Sequence, residues 1–388
     1  MKIFKNEIIY FEILIFGLLF FLYYNFSFNI TTDIQQHAQF IINYANGNSP
    51  QQVNFLYYYT VYFFSFFSNN PTIILLTSAI ILTIATFAKY YITKTILVTQ
   101  LEFTENKNKR IIAYISFVLL FLISLPAIYF FTNCFYLLTC NPTIWHNSTT
   151  IFVMPFVLLL FWNSYLQLQS HSKKRLVIIF ILIALNAVTK PSFLFVFFVV
   201  YPLFLLQKYE INTKTFWINL LPIACGIIFV ILEYYLIYLN SEPKQSTSSI
   251  AIYIFHFFIV WSNGNNSYLL FILSILSSFL FPIVLILKNN QLIKSRLILY
   301  AISCTFFAIL VSVTIIETGN RVYDGNFLWQ VFMCSYLLFF SSILELLKLI
   351  IQNNFSFKKY FIELFVLTLH FVSGIIYLVN IFQTKIYF

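Results

Sequence analysis

The chain has 388 residues, of which 61% are hydrophobic and 9% charged, against about 25% charged in ordinary soluble domains. That composition excludes a soluble globular fold; at roughly 20 residues per crossing it leaves room for about a dozen membrane spans, so residues 1–388 read as a single transmembrane domain. The net charge of +10 does not indicate nucleic-acid binding, because in a membrane protein the placement of Lys and Arg reports topology.

Apolar stretches of spanning length occur at 8–27, 71–92, 111–131, 149–167, 216–239, 267–287, 297–316, 327–347 and 361–383. The first follows a basic start with no small-residue cleavage site, so it reads as an uncleaved helix. Two further stretches, 53–68 and 249–261, are short and read as re-entrant or interfacial. Residues 176–206 would make a helix about 46 Å long, too long for a core of about 30 Å. Lys190-Pro191 breaks that run into a hairpin, 176–189 and 191–206.

Charge arbitrates the count. With a cytoplasmic N-terminus and eleven crossings, eighteen of the 22 basic residues fall on the cytoplasmic side: Lys2, Lys5, Lys89, Lys94, Lys107, Lys109, Arg110, Lys173, Lys174, Arg175, Lys208, Lys214, Lys288, Lys294, Arg296, Lys348, Lys358 and Lys359. The remainder are Lys385 at the chain end and three cations on the outer side: Lys190, Lys244 and Arg321. The expected fold is therefore all-α, a polytopic bundle of about eleven transmembrane helices with short re-entrant or interfacial helices.

No Walker loop, GxGxxG, HExxH or CxxC occurs, which argues against an ATPase, a nicotinamide enzyme and a zincin. Cys225, Cys304 and Cys334 fall in crossings as small apolar packers, while Cys134 and Cys140 share one outer loop where a disulfide could form. The 50 Phe and 27 Tyr accompany abundant Ile, Asn and Lys and carry no functional weight by number alone.

The remaining polar chemistry converges on the outer loops. After the first helix, Thr31 or Thr32 can cap a short helix that puts Asp33 and His37, four apart, on one face. Asp33 there serves either as an acid that complements the helix dipole or as a functional carboxylate. In the next outer loop His146 stands beside Trp145 and Asn147, either solvated or facing a substrate. Lys190 sits at the hairpin apex, where it either snorkels to headgroups or lines a polar pocket. The loop 317–330 offers Glu317, Arg321 and Asp324; Arg321 either pairs with a neighbouring carboxylate or presents its planar fork to a phosphate.

A carboxylate, a phosphate-ready cation and a lipid-accessible cavity suit transfer of a sugar from a polyprenyl-phosphate carrier to a hydroxyl. Here the residues resemble a known family. Thr32-Asp33-Ile34 followed by His37, Phe40 and Gly47 resembles the opening motif of the GT-C superfamily of multispanning polyprenyl-phosphate-sugar glycosyltransferases, closest to the mannosyltransferase that adds the first mannose of GPI anchors. The Lys190-Pro191 break after Ala184 and Ala187 is similar to a helix-lysine-proline-helix break in such enzymes. The resemblance implies a GT-C-like bundle and an inverting glycosyltransferase with Asp33 as catalytic base. It also implies a lipid-linked sugar donor and a glycan or lipid acceptor as partners. His37, His146, Lys190, Arg321, Asp324 and Glu317 are the candidate substrate-binding residues. Gln35-Gln36 stands where the family has a second acidic position, so no metal ligands are assigned and a divalent cation stays open. The alternatives are an O-antigen or capsule repeat-unit polymerase of the Wzy type, and a glycan or lipid flippase or transporter. Short basic loops and AT-rich usage favour a bacterial inner membrane.

Overall fold

In a computed structural model, the described residues are 2–102, 106–127, 129, 139–239, 249–255, 259, 267–319, 322, 325–354 and 356–387. Among the described residues the structure is 78% helix, in thirteen α-helices. In chain order these are α1 (Lys2–Phe28), α2 (Asp33–Ala45), α3 (Leu56–Phe64), α4 (Pro71–Gln100), α5 (Asn106–Val118), α6 (Ser148–Gln169), α7 (Lys173–Thr189), α8 (Ser192–Lys208), α9 (Lys214–Tyr234), α10 (Ser267–Lys288), α11 (Arg296–Thr314), α12 (Trp329–Gln352) and α13 (Phe361–Thr384). A single short antiparallel pair among the described residues, β1 (Ile250–Ile252) with β2 (Ile315–Glu317), aligns Ala251 with Ile316. The start of the stretch 249–261 is thus a strand.

Among the described residues, eight helices are long and apolar enough to cross a membrane: α1, α4, α6, α9, α10, α11, α12 and α13. The hairpin expected at Lys190-Pro191 is present as α7 and α8, 17 residues each. The stretch 111–131 differs from a simple crossing. Its helix stops at Val118, and residues 119–124 run on as buried irregular chain. Bare backbone at this depth needs protein partners, and α13 provides them: Ile123 N donates to His370 O, His370 Nδ1 lies 2.8 Å from Ile123 O, and Ser373 Oγ donates to Ser124 O. Gly374 makes the approach feasible, since a Cβ there would overlap the Phe121 carbonyl.

Helix starts follow the sequence closely. Asn70 caps α4 through Thr72 N at 2.9 Å, with Pro71 in the first turn, where a missing N–H costs nothing. Prolines also sit inside α6, α8, α9 and α10. In α10 the backbone departs from helical geometry at Phe279, three residues before Pro282. The most buried helix is α12, whose residues between Gln330 and Ile350 are nearly all enclosed by the bundle.

The two ends of the bundle differ in chemistry. At one end Lys94 pairs with Glu12, Arg110 with Glu7, and Lys208 Nζ donates to the last carbonyls of α6. Lys89 departs from its expected place among the loop cations. It is buried inside α4, with Nζ 4.4 Å from the Tyr336 ring centre. At the other end lie α2, the β pair, the α7–α8 apex and the chain's tail, where Ile386 bridges to Thr31.

Candidate active site

Of the two candidate caps, Thr31 and Thr32, it is Thr32 that starts α2. Its hydroxyl accepts from Ile34 N at 3.2 Å, and Gln35 Oε1 accepts from Thr32 N at 2.8 Å, a reciprocal capping box. Gln35 Nε2 donates to the carbonyls of Phe26, Ser27 and Ile30, welding the helix to the end of α1. Asp33 therefore occupies a fixed first-turn position, half-buried. Its two carboxylate oxygens also accept from side chains outside α2. Tyr387 Oη donates to Asp33 Oδ1 at 2.8 Å, and Asn147 Nδ2 donates to Oδ2 at 3.1 Å.

Asn147 is the hub of the site. It caps α6: Oδ1 accepts from Thr150 N at 3.1 Å, from the Thr150 hydroxyl at 2.7 Å and from the Thr149 hydroxyl at 3.1 Å. Lys190 Nζ donates to the same oxygen at 3.3 Å and to Thr149 Oγ1 at 3.3 Å. The cap orients the amide, because turning its oxygen toward α6 obliges its N–H group to face Asp33 and His37. His37 Nε2 lies 3.5 Å from Asn147 Nδ2, and His37 Nδ1 is 2.7 Å from Tyr58 Oη.

Aromatic rings wall the site. Lys190 Nζ is 4.5 Å from the centre of the Trp329 ring at the start of α12. His146, 5% exposed, stacks on Tyr387 at 4.2 Å and lies 5.8 Å from Trp329. Burial holds both imidazoles down to about 4, with Lys190 lowering each further and Asp33 opposing the shift. Both are neutral at pH 7. Burial and the Asp33 carboxylate push the Tyr387 phenol up, so it remains a donor.

Four of the seven candidates thus come together: Asp33, His37, His146 and Lys190. Glu317 is buried in β2 and accepts from Asn326 Nδ2 of the loop that follows. Arg321 and Asp324 lie outside the described residues, as does Cys134. Cys140 keeps a free thiol, buried and 3.8 Å from Ser274 Oγ, and its burial pushes it up to about 12.

Three participants escape a reading of the sequence. Asn147 carries a local signal, Asn-Ser-Thr-Thr before an apolar run, which announces a cap but not a hub. Trp329 has no local signal that ties it to Lys190 or His146. Tyr387 has no signal, because only the return of the tail past Thr31 brings it to Asp33.

The donor set does not fit a divalent cation. Both oxygens of Asp33 accept hydrogen bonds, a lysine shares the hub, and no three His, Cys, Asp or Glu side chains converge as ligands among the described residues. A half-buried carboxylate held by two donors, beside an ammonium group and two neutral imidazoles, can accept a proton and stabilise a departing anion. Comparison with protein families, with curated proteins and with solved structures finds no match.

Proposed function

We propose that the protein is an inverting membrane glycosyltransferase that moves a sugar from a polyprenyl-phosphate donor to an acceptor hydroxyl on a glycan or glycolipid. The observation that carries this reading is the shared hydrogen-bond network of Asp33 and Lys190 through one amide, that of Asn147. It links a proton acceptor and a cation through one side chain at one end of a bundle whose helices are apolar enough to face lipid.

In this mechanism the acceptor hydroxyl gives its proton to Asp33 as its oxygen attacks the anomeric carbon. The bond to the carrier's phosphate breaks with its electron pair on the phosphate oxygen. Lys190 stabilises that developing charge in a site poor in water. Tyr387 and Asn147 fix the direction of the carboxylate, and neutral His37 and His146 can accept or donate hydrogen bonds to sugar hydroxyls without competing for the proton. The donor reaches the site laterally from the bilayer, so a separate soluble domain is unnecessary.

Counting α7, α8 and the 111–131 stretch as crossings gives eleven, with the N-terminus cytoplasmic and Asp33 on the outer face of a bacterial inner membrane. The decisive experiment incubates purified protein with polyprenyl-phosphate sugars and a panel of acceptors, comparing wild type with Asp33→Asn. Transfer should fall at least 100-fold. Full activity in the variant would remove Asp33 from the role of base, and ion-dependent glycan transport without transfer would replace the enzyme with a transporter.

A further inference from the structure

Between α2 and α3, on the far side of His37 from Asn147, lies a shallow surface cleft lined by Tyr44, Tyr58, Tyr59, Tyr62, Gln51 and Gln52. No charged side chain lines it. Tyr44 is 36% and Tyr59 46% exposed, and the Tyr44 and Tyr62 rings meet edge to face at 5.7 Å. Among the described residues, the hydroxyls of Tyr44, Tyr59 and Tyr62 and the amides of Gln51 and Gln52 have no hydrogen-bond partner in the protein.

These features select one ligand chemistry. The absence of charge disfavours an ionic group. Five uncommitted polar groups disfavour a plain hydrocarbon, which would desolvate them without replacing their hydrogen bonds. A pyranose satisfies both demands, since its C–H face can lie on an aromatic ring, whose face is electron-rich, while its hydroxyl rim meets amides and phenols.

The cleft adjoins the candidate active site through Tyr58 and along α2. Asp33, His37, Phe40, Ile41 and Tyr44 follow the spacing i, i+4, i+7, i+8, i+11 and so form one stripe along α2. Tyr58 closes the inner end of the cleft and touches His37 Nδ1 at 2.7 Å. Phe40, at the cleft's near wall, is about 10 Å along the helix axis from Asp33. Beyond the cleft, Phe63, Phe64 and Phe66 are 51%, 57% and 91% exposed. Such rings anchor the end of α3 in lipid, holding the cleft at the membrane surface.

We propose that this cleft is a saccharide subsite that holds one neutral pyranose of a glycan, next to the unit that reacts at Asp33. The adjacency to a reacting unit rests on the glycosyltransferase reading; the binding of a neutral sugar does not. The full chain in nanodiscs is probed by saturation-transfer NMR with maltotriose, mannotriose and triacetylchitotriose. At least one should bind, and Tyr62→Ala and Gln52→Ala should each weaken it about tenfold, while Phe66→Ala, outside the cleft, should not. Melting midpoints matching wild type show that the variants are folded. Failure of all three trisaccharides to bind, or unchanged binding in both cleft variants, overturns the subsite. Binding without any transfer activity keeps the subsite and removes the enzyme, whereas transfer with kinetics indifferent to both variants does the reverse.

Discussion

Asn147 donates to Asp33 Oδ2 at 3.1 Å with the same amide whose oxygen caps α6 and accepts from Lys190. A helix start, a carboxylate and a cation are therefore joined by one side chain, and substitution there separates structural from electrostatic roles.

Asn147→Ala should cost about 1 kcal/mol through loss of the cap and leave Asp33 without one donor. Asn147→Asp keeps an oxygen for Thr150 N but sets a second carboxylate against Asp33. We expect the Asp variant to melt nearer to wild type than the Ala variant, with transfer reduced at least tenfold in both. Parallel thermal melts and transfer assays check this; equal stability loss in the two variants would contradict the capping role.

The histidines predict a pH dependence. Their folded-state values of about 4 lie below the usual 6.5 because burial disfavours the charged ring. Between those values the unfolded chain binds more protons than the folded one, so stability is fully present above pH 6.5 and is lost as pH falls toward 4. The loss for buried His146 approaches about 3 kcal/mol, and half-buried His37 contributes less because solvent screens it. His146→Phe preserves the stack on Tyr387 and should flatten the slope of melting temperature against pH.

Gly374 faces the Phe121 carbonyl so closely that a methyl group has no space. Gly374→Ala should force the 119–124 segment off α13 and break its bonds to His370 and Ser373. A destabilisation of about 3 kcal/mol is expected, the scale of overpacking with added hydrogen-bond loss. Gly17, with open space around its Cβ position, is the control, and Gly17→Ala should melt like wild type.

Topology is tested with single cysteines in a background without native ones. Asn48 and Lys173 are both exposed, and they lie toward opposite ends of the bundle. With the Asp33 end outward, a membrane-impermeant maleimide should label Asn48→Cys on intact cells and Lys173→Cys only after permeabilisation. Labelling of Lys173→Cys from outside would reverse the orientation.

Much of this protein is set by local pattern. Apolar runs of crossing length became the eight long helices, the Lys190-Pro191 break became a real apex, and Thr32 caps α2 with Asp33 in its first turn. These features depend on residues within a few positions of one another, where hydrophobic length and hydrogen-bond capping act directly. The 111–131 stretch shows the limit. Its composition permits a helix, but α13, some 250 residues later, supplies the glycine and hydrogen-bond partners that let 119–124 leave helical geometry while buried. The candidate site shows the same division more sharply. Asp33 and His37 were paired by helical spacing alone, whereas Asn147, Lys190, Trp329 and Tyr387 reach them from four other segments. Sequence sorts charged and polar groups by the end of the bundle they occupy; only packing decides which of them meet, because short-range hydrogen bonds depend on positions that helices far apart in the chain fix jointly.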